Sequence, residues 1–355
     1  MIDWLSFAAP ITHYEPINSG HVVSSNQDGT IEWKTCKRLP VRGSYESNLN
    51  IKSDESTFDP LRGCYTHILI DGNPAKWLQG HNVFGTDDVL GLAVETVLKI
   101  IDLFSLTPNK EDYNKIYKGE MELSHIDVNY LFSLENQSQV LALIKALGTQ
   151  ARLKHRGTGI MKGGTLYFGK HSRRWALKIY SKFEEITSNK KGHSLPKELD
   201  LIESLKNYSK NKIRIELVLR KMQLTDIKLN KVKYWFENTP IEIFKEYISG
   251  IEMSKQIDLS NNEIEKLKPS ELIIYKLWKT GEDLRSLYLK NTFYRHRRAL
   301  LKYGIDITIQ QPKEKEITSN VIPFIQVLEA RQVESVPDWA IGTDLYFEPR
   351  YFANN

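Results

Sequence analysis

Residues 163–182 read GGTLYFGKHSRRWALKIYSK. Two short runs within it, TLYFG and RWALKIY, are punctuated by glycine. That pattern predicts a β-hairpin, and with it an antiparallel sheet. In the second run Lys178, Tyr180 and, if the strand persists that far, Lys182 leave one face. No acidic residue occurs between Glu135 and Glu184, a stretch holding Lys145, Arg152, Lys154, Arg156, Lys162, Lys170, Arg173, Arg174, Lys178 and Lys182. The whole chain carries a formal charge of only +5, so this segregation of sign is local. A phenol bordered by ammonium groups in a positive field suits attack on a phosphodiester better than it suits a core.

On either side of this hairpin the pattern is mixed. IDWLSFA, TIEWKTC, GSYESNLNI and CYTHILID predict short strands within the first seventy residues. Asp87 or Asp88 is expected to cap an amphipathic helix reaching about Phe104, with Leu90, Val94, Val97, Leu98 and Ile101 on one face. MELSHIDVNYLF (121–132) alternates as a strand, and NQSQVLALIKALG reads as a helix closed by Gly148. KIRIELVLR (212–220) is a further strand. Helical patterns dominate from about residue 222. These signals predict an α+β fold whose central sheet is mainly antiparallel and flanked by helices. The expected domains are a catalytic one at 1–221, a helical connection at 222–260, and a DNA-binding region with a C-terminal tail at 261–355.

At 355 residues, 41% hydrophobic and 26% charged, the chain is globular and not disordered. Its two cysteines, Cys36 and Cys64, lack metal-ligand spacing and are too few for a disulfide scaffold. MIDWLSFAAPI has no basic flank and no long apolar core, so it does not read as a secretion signal. The best apolar run, 97–104, is broken by Lys99 and Asp102 and is too short to span a bilayer. The cytoplasm is the expected location, with no membrane partner.

Polar groups interrupt three predicted strands. His125 and Asp127 share one face of SHIDVNY, and Arg214, Glu216 and Val218 share one face of IRIELVLR. If these strands and WALKIYSK lie side by side, one surface gathers a histidine, two carboxylates, a tyrosine and a lysine. An imidazole and two carboxylates can hold Mg²⁺ or Mn²⁺, which would polarise a phosphate oxygen. With a phenolic pKa of about 10, Tyr180 needs a neighbouring metal or ammonium, from Lys178 or Lys182, to act as a nucleophile.

The residues that carry this chemistry also resemble a family. MIDWL, NPAKWLQGHNVFGTDD, SHIDVNY, RRWALKIYSK, IRIELVLR, NTFYRHRRALLKYGIDI and IPFIQVLEA…VPDWA resemble the gene II/gene X replication initiators of filamentous bacteriophages, nickases that start rolling-circle replication. The Ile-Asp, GTLYFG…IYSK and RIEL segments are also similar to trans-acting plasmid Rep initiators. The resemblance implies a HUH/Rep-like catalytic domain with Tyr180 as covalent nucleophile, Asp127 and Glu216 as metal-side carboxylates, and Lys182 close to the phosphate. His125 replaces an arginine common in relatives and is either a metal ligand or a phosphate contact. His81, within GHNVFG, is either near DNA or a metal ligand. Host helicase and polymerase are implied partners.

KPSELIIYKLWKTGEDLRSLYLKNTFYRHRRALLKYGIDI has the rhythm of a helix-turn-helix. The expected helices are 269–279, 282–288 and one capped by Thr292, with Phe293, Leu300 and Leu301 toward the core. Arg295, Arg297 and Arg298 would face DNA, and Lys178, Arg173 and Arg174 would line its path past the tyrosine. The expected function is origin binding, nicking of one strand through a 5′-phosphotyrosine, and later rejoining. The two alternatives are a non-enzymatic origin-binding regulator and a metal-dependent nuclease that uses water.

Overall fold

The computed structural model describes residues 1–43, 45, 47–153, 156–188, 194–253, 264–301, 303, 305, 307 and 333–348. Lys154, the segment IPFIQVLEA (322–330) and the side chain of Leu301 lie outside the described residues. The frame is a ten-stranded sheet. Across it lie the strands Ile160–Lys162, Thr165–Phe168, Trp175–Ser181, Lys212–Arg220, Glu122–Ser133, Ile2–His13, Cys64–Gly72, Asn48–Ser53 and Leu39–Arg42, with Phe58–Asp59 pairing on Cys64–Gly72. Every pairing in this sheet is antiparallel. The fold is α+β, and the three strands with polar interruptions are direct neighbours at its centre.

Alternation explains why the central strands face as they do. Ile213, Ile215, Leu217 and Leu219, with Val128, Tyr130, Phe132, Leu177 and Ile179, enter one hydrophobic core. Val89–Leu103, Gln137–Gln150 and Thr239–Ser249 supply helical residues to that core. Asp88 caps the first of these helices by accepting from the Gly91 amide at 2.7 Å. Gly148 does not close the second, which runs on to Gln150. A Cβ at Gly148 would approach Met161 Cγ to 3.0 Å, so the glycine lets the hairpin lie close to the helix.

The boundary expected at residue 221 does not coincide with the edge of the core. Leu224, Val232, Trp235, Phe244, Ile248 and Ile251 all belong to the main core. Ile251–Met253 pairs with Ala151–Leu153. A separate small core unites Leu267, Ile274, Tyr275, Trp278, Leu284, Phe293, Leu300, Ile305 and Ile307. It is built by the helices Pro269–Lys279, Leu284–Leu287 and Lys290–Leu301. Thr292 lies inside the last helix and is not its cap.

The chain then returns to the first body. The Glu334 amide donates to the Leu131 carbonyl at 3.0 Å, and the Tyr208 hydroxyl donates to the Ser335 carbonyl at 2.7 Å. Ala340 and Leu345 join a third core with Val83, Phe84, Ile186, Leu199 and Leu205. Residues 333–348 are therefore a strap on the body of the main sheet, not an extension of the helical region. Among the described residues no helix is long and apolar enough to cross a membrane.

Candidate active site

The site face of the sheet is set by register. Lys178 stands opposite Glu216, Tyr180 opposite Arg214, and Val218 opposite Asp127. Opposed residues of an antiparallel pair leave the same face, so Asp127, Glu216, Lys178 and Tyr180 converge. The Tyr180 hydroxyl donates to Glu216 Oε2 at 3.1 Å. Lys178 Nζ donates to Glu216 Oε1 and, at 3.2 Å, to Asp127 Oδ2. His125 Nε2 donates to Asp127 Oδ1 at 2.6 Å. Ala176 and Val218, both buried, put small apolar side chains beside this cluster.

Burial governs the electrostatics. Tyr180 is 7% exposed and Glu216 4%. Burial pushes the Tyr180 phenol well above its usual value, and the negative charge of Glu185 and Glu216 adds to the rise. Burial also pushes Glu216 up to about 8, against the pull of Lys178 and with repulsion from Asp127 and Asp3. Asp127 goes the other way. Its burial is outweighed by Lys178 and His125, which hold it below the ordinary carboxylate range. Desolvation of Lys178 is likewise outweighed by its two carboxylates, so its ammonium is held above the usual range. Near neutral pH the pair therefore carries an ionised Asp127 and a proton at Glu216.

Comparison with known proteins places this geometry in a family. Residues 1–238 match the N-terminal model of the gene II type replication-associated proteins, and residues 258–347 match the C-terminal model of the same proteins. The replication-associated protein of this type from Enterobacteria phage I2-2 is 39% identical over 337 residues, covering 95% of each chain. The chain belongs to the gene II family of replication-associated proteins. The structure of the Rolling Circle Replication Initiator Protein from Geobacillus stearothermophilus aligns over 74% of this chain and 89% of that one. Its identity is 13% and its TM-score 0.31, too loose a superposition to inform the geometry.

Two expected positions in this member of the gene II family differ from the sequence reading. The strand ends at Ser181, whose side chain caps the helix Lys182–Thr187 by accepting from the Glu184 amide. Lys182 therefore opens that helix instead of ending the strand. It is buried, with Nζ donating to Asn82 Oδ1 at 2.8 Å and to Glu185 Oε2 at 2.5 Å. His81 is 0% exposed. Its Nδ1 accepts from the Val83 amide at 3.2 Å and its Nε2 donates to the Leu345 carbonyl at 2.8 Å. Both ring nitrogens are committed inside the protein, so His81 neither faces DNA nor is free to bind a metal. It pins the strap to the GHNVFG loop.

Asp3, Asn82 and Arg214 are functional neighbours that the sequence reading did not assign. A register shift between Ile2 and Trp4 makes Asp3 the bulged residue of its strand, and a bulge re-aims a side chain. Asp3 accepts from the side-chain amides of Asn73 and Asn82. Arg214 donates to the carbonyls of Asn82 and Val83, fixing that loop above the sheet. A carboxylate at the second position of an otherwise apolar strand was the available signal for Asp3. Nothing local in the sequence marks Asn82.

The remaining basic residues spread outward. Arg173 and Arg174 are exposed just before the Tyr180 strand, with Arg174 paired to Asp226. In the helical region, Arg295 and Arg298 are exposed on the helix Lys290–Leu301, and Arg297 is half-buried.

Proposed function

We propose that this protein is a rolling-circle replication initiator that nicks one strand of a phage or plasmid origin through Tyr180. The 3.1 Å hydrogen bond from the Tyr180 hydroxyl to Glu216 carries the reading. A buried phenol cannot ionise unaided, and Glu216, once ionised, stands in hydrogen-bond contact to accept its proton. In the step proposed, the phenolic oxygen attacks phosphorus as its proton passes to Glu216. The P–O3′ bond breaks, and the leaving oxygen takes up a proton to become a 3′-hydroxyl. The strand is left with a 5′-phosphotyrosine, and attack by a 3′-hydroxyl reverses the exchange to rejoin ends. Lys178, 30% exposed, is the cation at the rim of the site that can meet a phosphate.

A divalent cation fits the chemistry of the donors. Asp127 and Glu216 offer hard oxygens, although Lys178 now bridges them. Among the described residues no three His, Cys, Asp or Glu side chains are grouped to hold a metal. When bound, Mg²⁺ or Mn²⁺ would supply Lewis-acid stabilisation of the phosphate charge. His125 then reads as the group orienting Asp127, a usual role for an imidazole beside a ligand.

The helical region at 264–307 is proposed to bind origin DNA through Arg295 and Arg298. Host helicase and polymerase are the proposed partners, and the host cytoplasm the setting. The test is supercoiled origin plasmid incubated with protein and Mg²⁺. A relaxed circle with protein attached to a 5′ end supports the initiator. Nicking without attachment supports a water-using nuclease, and binding without nicking supports a regulator.

A further inference from the structure

Asn129 follows Asp127 by two residues on the strand Glu122–Ser133, and its register partner is Glu216. It therefore leaves the same face as both carboxylates, with its Cβ about 5 Å from that of Glu216. The residue is 1% exposed, and neither its amide nitrogen nor its amide oxygen has a hydrogen-bond partner. Buried amides are normally satisfied. One that is not marks a place where water or an ion belongs.

The surroundings narrow the choice. The neighbours are two carboxylates and the Lys178 ammonium that bridges them. The position between the carboxylates therefore already favours a cation, and a divalent ion would displace that ammonium toward the rim. Asp127 and Glu216 supply two acidic side chains, and a hard divalent ion seeks about six oxygens. No third His, Cys, Asp or Glu completes a group among the described residues, and His125 is engaged with Asp127. An amide oxygen is a hard neutral donor of the type such ions accept.

We propose that Asn129 Oδ1 is the third protein oxygen, beside Asp127 and Glu216, for a divalent cation such as Mg²⁺ or Mn²⁺. This rests on the metal-dependent reading above. The competing arrangement is an amide that turns to Arg214, whose Nε is also without a partner one register row away. In that arrangement Asn129 serves packing and not the ion.

The test is Mn²⁺ titration of the DNA-free full chain, followed by calorimetry or by the EPR signal of free Mn²⁺. Asn129→Ala should weaken Mn²⁺ binding at least about tenfold at unchanged stoichiometry, and Asp127→Ala should remove it. Asn129→Asp, which keeps the size and adds a charged oxygen, should bind more tightly than the parent and serves as the decisive variant if the alanine protein fails to fold. Parent-like affinity in Asn129→Ala, or no tightening in Asn129→Asp, overturns the assignment while leaving metal-dependent nicking intact. A parent that binds no Mn²⁺, yet still forms the Tyr180 adduct in EDTA, overturns the metal reading and this inference together.

Discussion

Tyr180 donates its phenolic hydrogen to Glu216 across 3.1 Å, and the two side chains sit on adjacent strands with Lys178 bridging from Glu216 to Asp127. The acceptor is a carboxyl group pushed up to about 8 by burial. It takes the tyrosine proton only when ionised. Adduct formation should therefore rise with pH, about tenfold per unit below about 8, and level off above it. Single-turnover rates on a single-stranded origin oligonucleotide, followed from about pH 6 to about pH 10, would measure this. A flat profile through that range would remove Glu216 from the role of base.

Replacing Tyr180 with Phe deletes the oxygen proposed to attack and little else, because the ring stays within the buried face. Tyr180→Phe should abolish the covalent adduct, seen as loss of the slower gel band after denaturation. Origin binding should change by less than about threefold, since the hydroxyl points at Glu216 and not outward. An adduct that survives would shift the nucleophile to another residue.

Lys178 neutralises the carboxylate pair, and so tunes it. In Lys178→Gln the attraction that favours ionised Glu216 is gone, while repulsion from Asp127 and Asp3 remains. The pH midpoint of adduct formation should move upward by about one unit or more. An unchanged midpoint with a lowered plateau would instead assign Lys178 to the phosphate alone.

Much of this site was legible in the sequence because strands carry a strict period of two. Polar residues two apart, His125 and Asp127, Lys178 and Tyr180, Arg214 and Glu216, identified the face, and antiparallel register did the rest. The same rule would carry the strand one residue too far, to Lys182, since a strand's end depends on which side chain caps the next helix, here Ser181. His81 was misread for a different reason. A histidine between glycines looks accessible, and its partner is the carbonyl of Leu345, 264 residues away. Asp3, Asn82 and the strap at 333–348 depend on long-range contacts of that kind, which no local pattern encodes. The core that continues past residue 221 was hidden likewise, because amphipathic helices look alike whether they dock on this sheet or on each other.

His81 gives the strap a pH dependence of defined sign. Burial holds its folded-state pKa at about 3, against about 6.5 in an unfolded chain. Between those values the unfolded state binds a proton that the folded state does not, so stability falls as pH drops below about 6.5 and this contribution levels off below about 3. The loss from this group alone is about 2 kcal/mol by about pH 5. His81→Gln can still donate to Leu345 and accept from Val83. The melting temperature of His81→Gln should therefore fall less than the parent's between about pH 7.5 and about pH 5. Equal losses in the two proteins would show that the imidazole is not kept neutral in the fold.

Arg295 and Arg298 share the exposed side of the helix Lys290–Leu301, while Phe293 and Leu300 fill its small core. Their removal should therefore leave the fold intact and act on DNA alone. Each arginine that neutralises a phosphate contributes about 0.9 to the slope of log affinity against log salt. The double variant Arg295→Ala/Arg298→Ala should weaken origin binding and flatten that slope by about 2 if both meet the backbone. If one of them reads a base instead, the slope should change by about 1 while discrimination against a mutated origin falls by about 1–3 kcal/mol, the worth of one bidentate contact. Fluorescence anisotropy of labelled origin duplexes from about 50 to about 300 mM salt, on matched and mutated sequences, distinguishes the two. Because Tyr180 lies outside that small core, adduct formation on a saturating single-stranded oligonucleotide should remain within about twofold of the parent, and a large loss there would mean that these arginines serve the cleavage site itself.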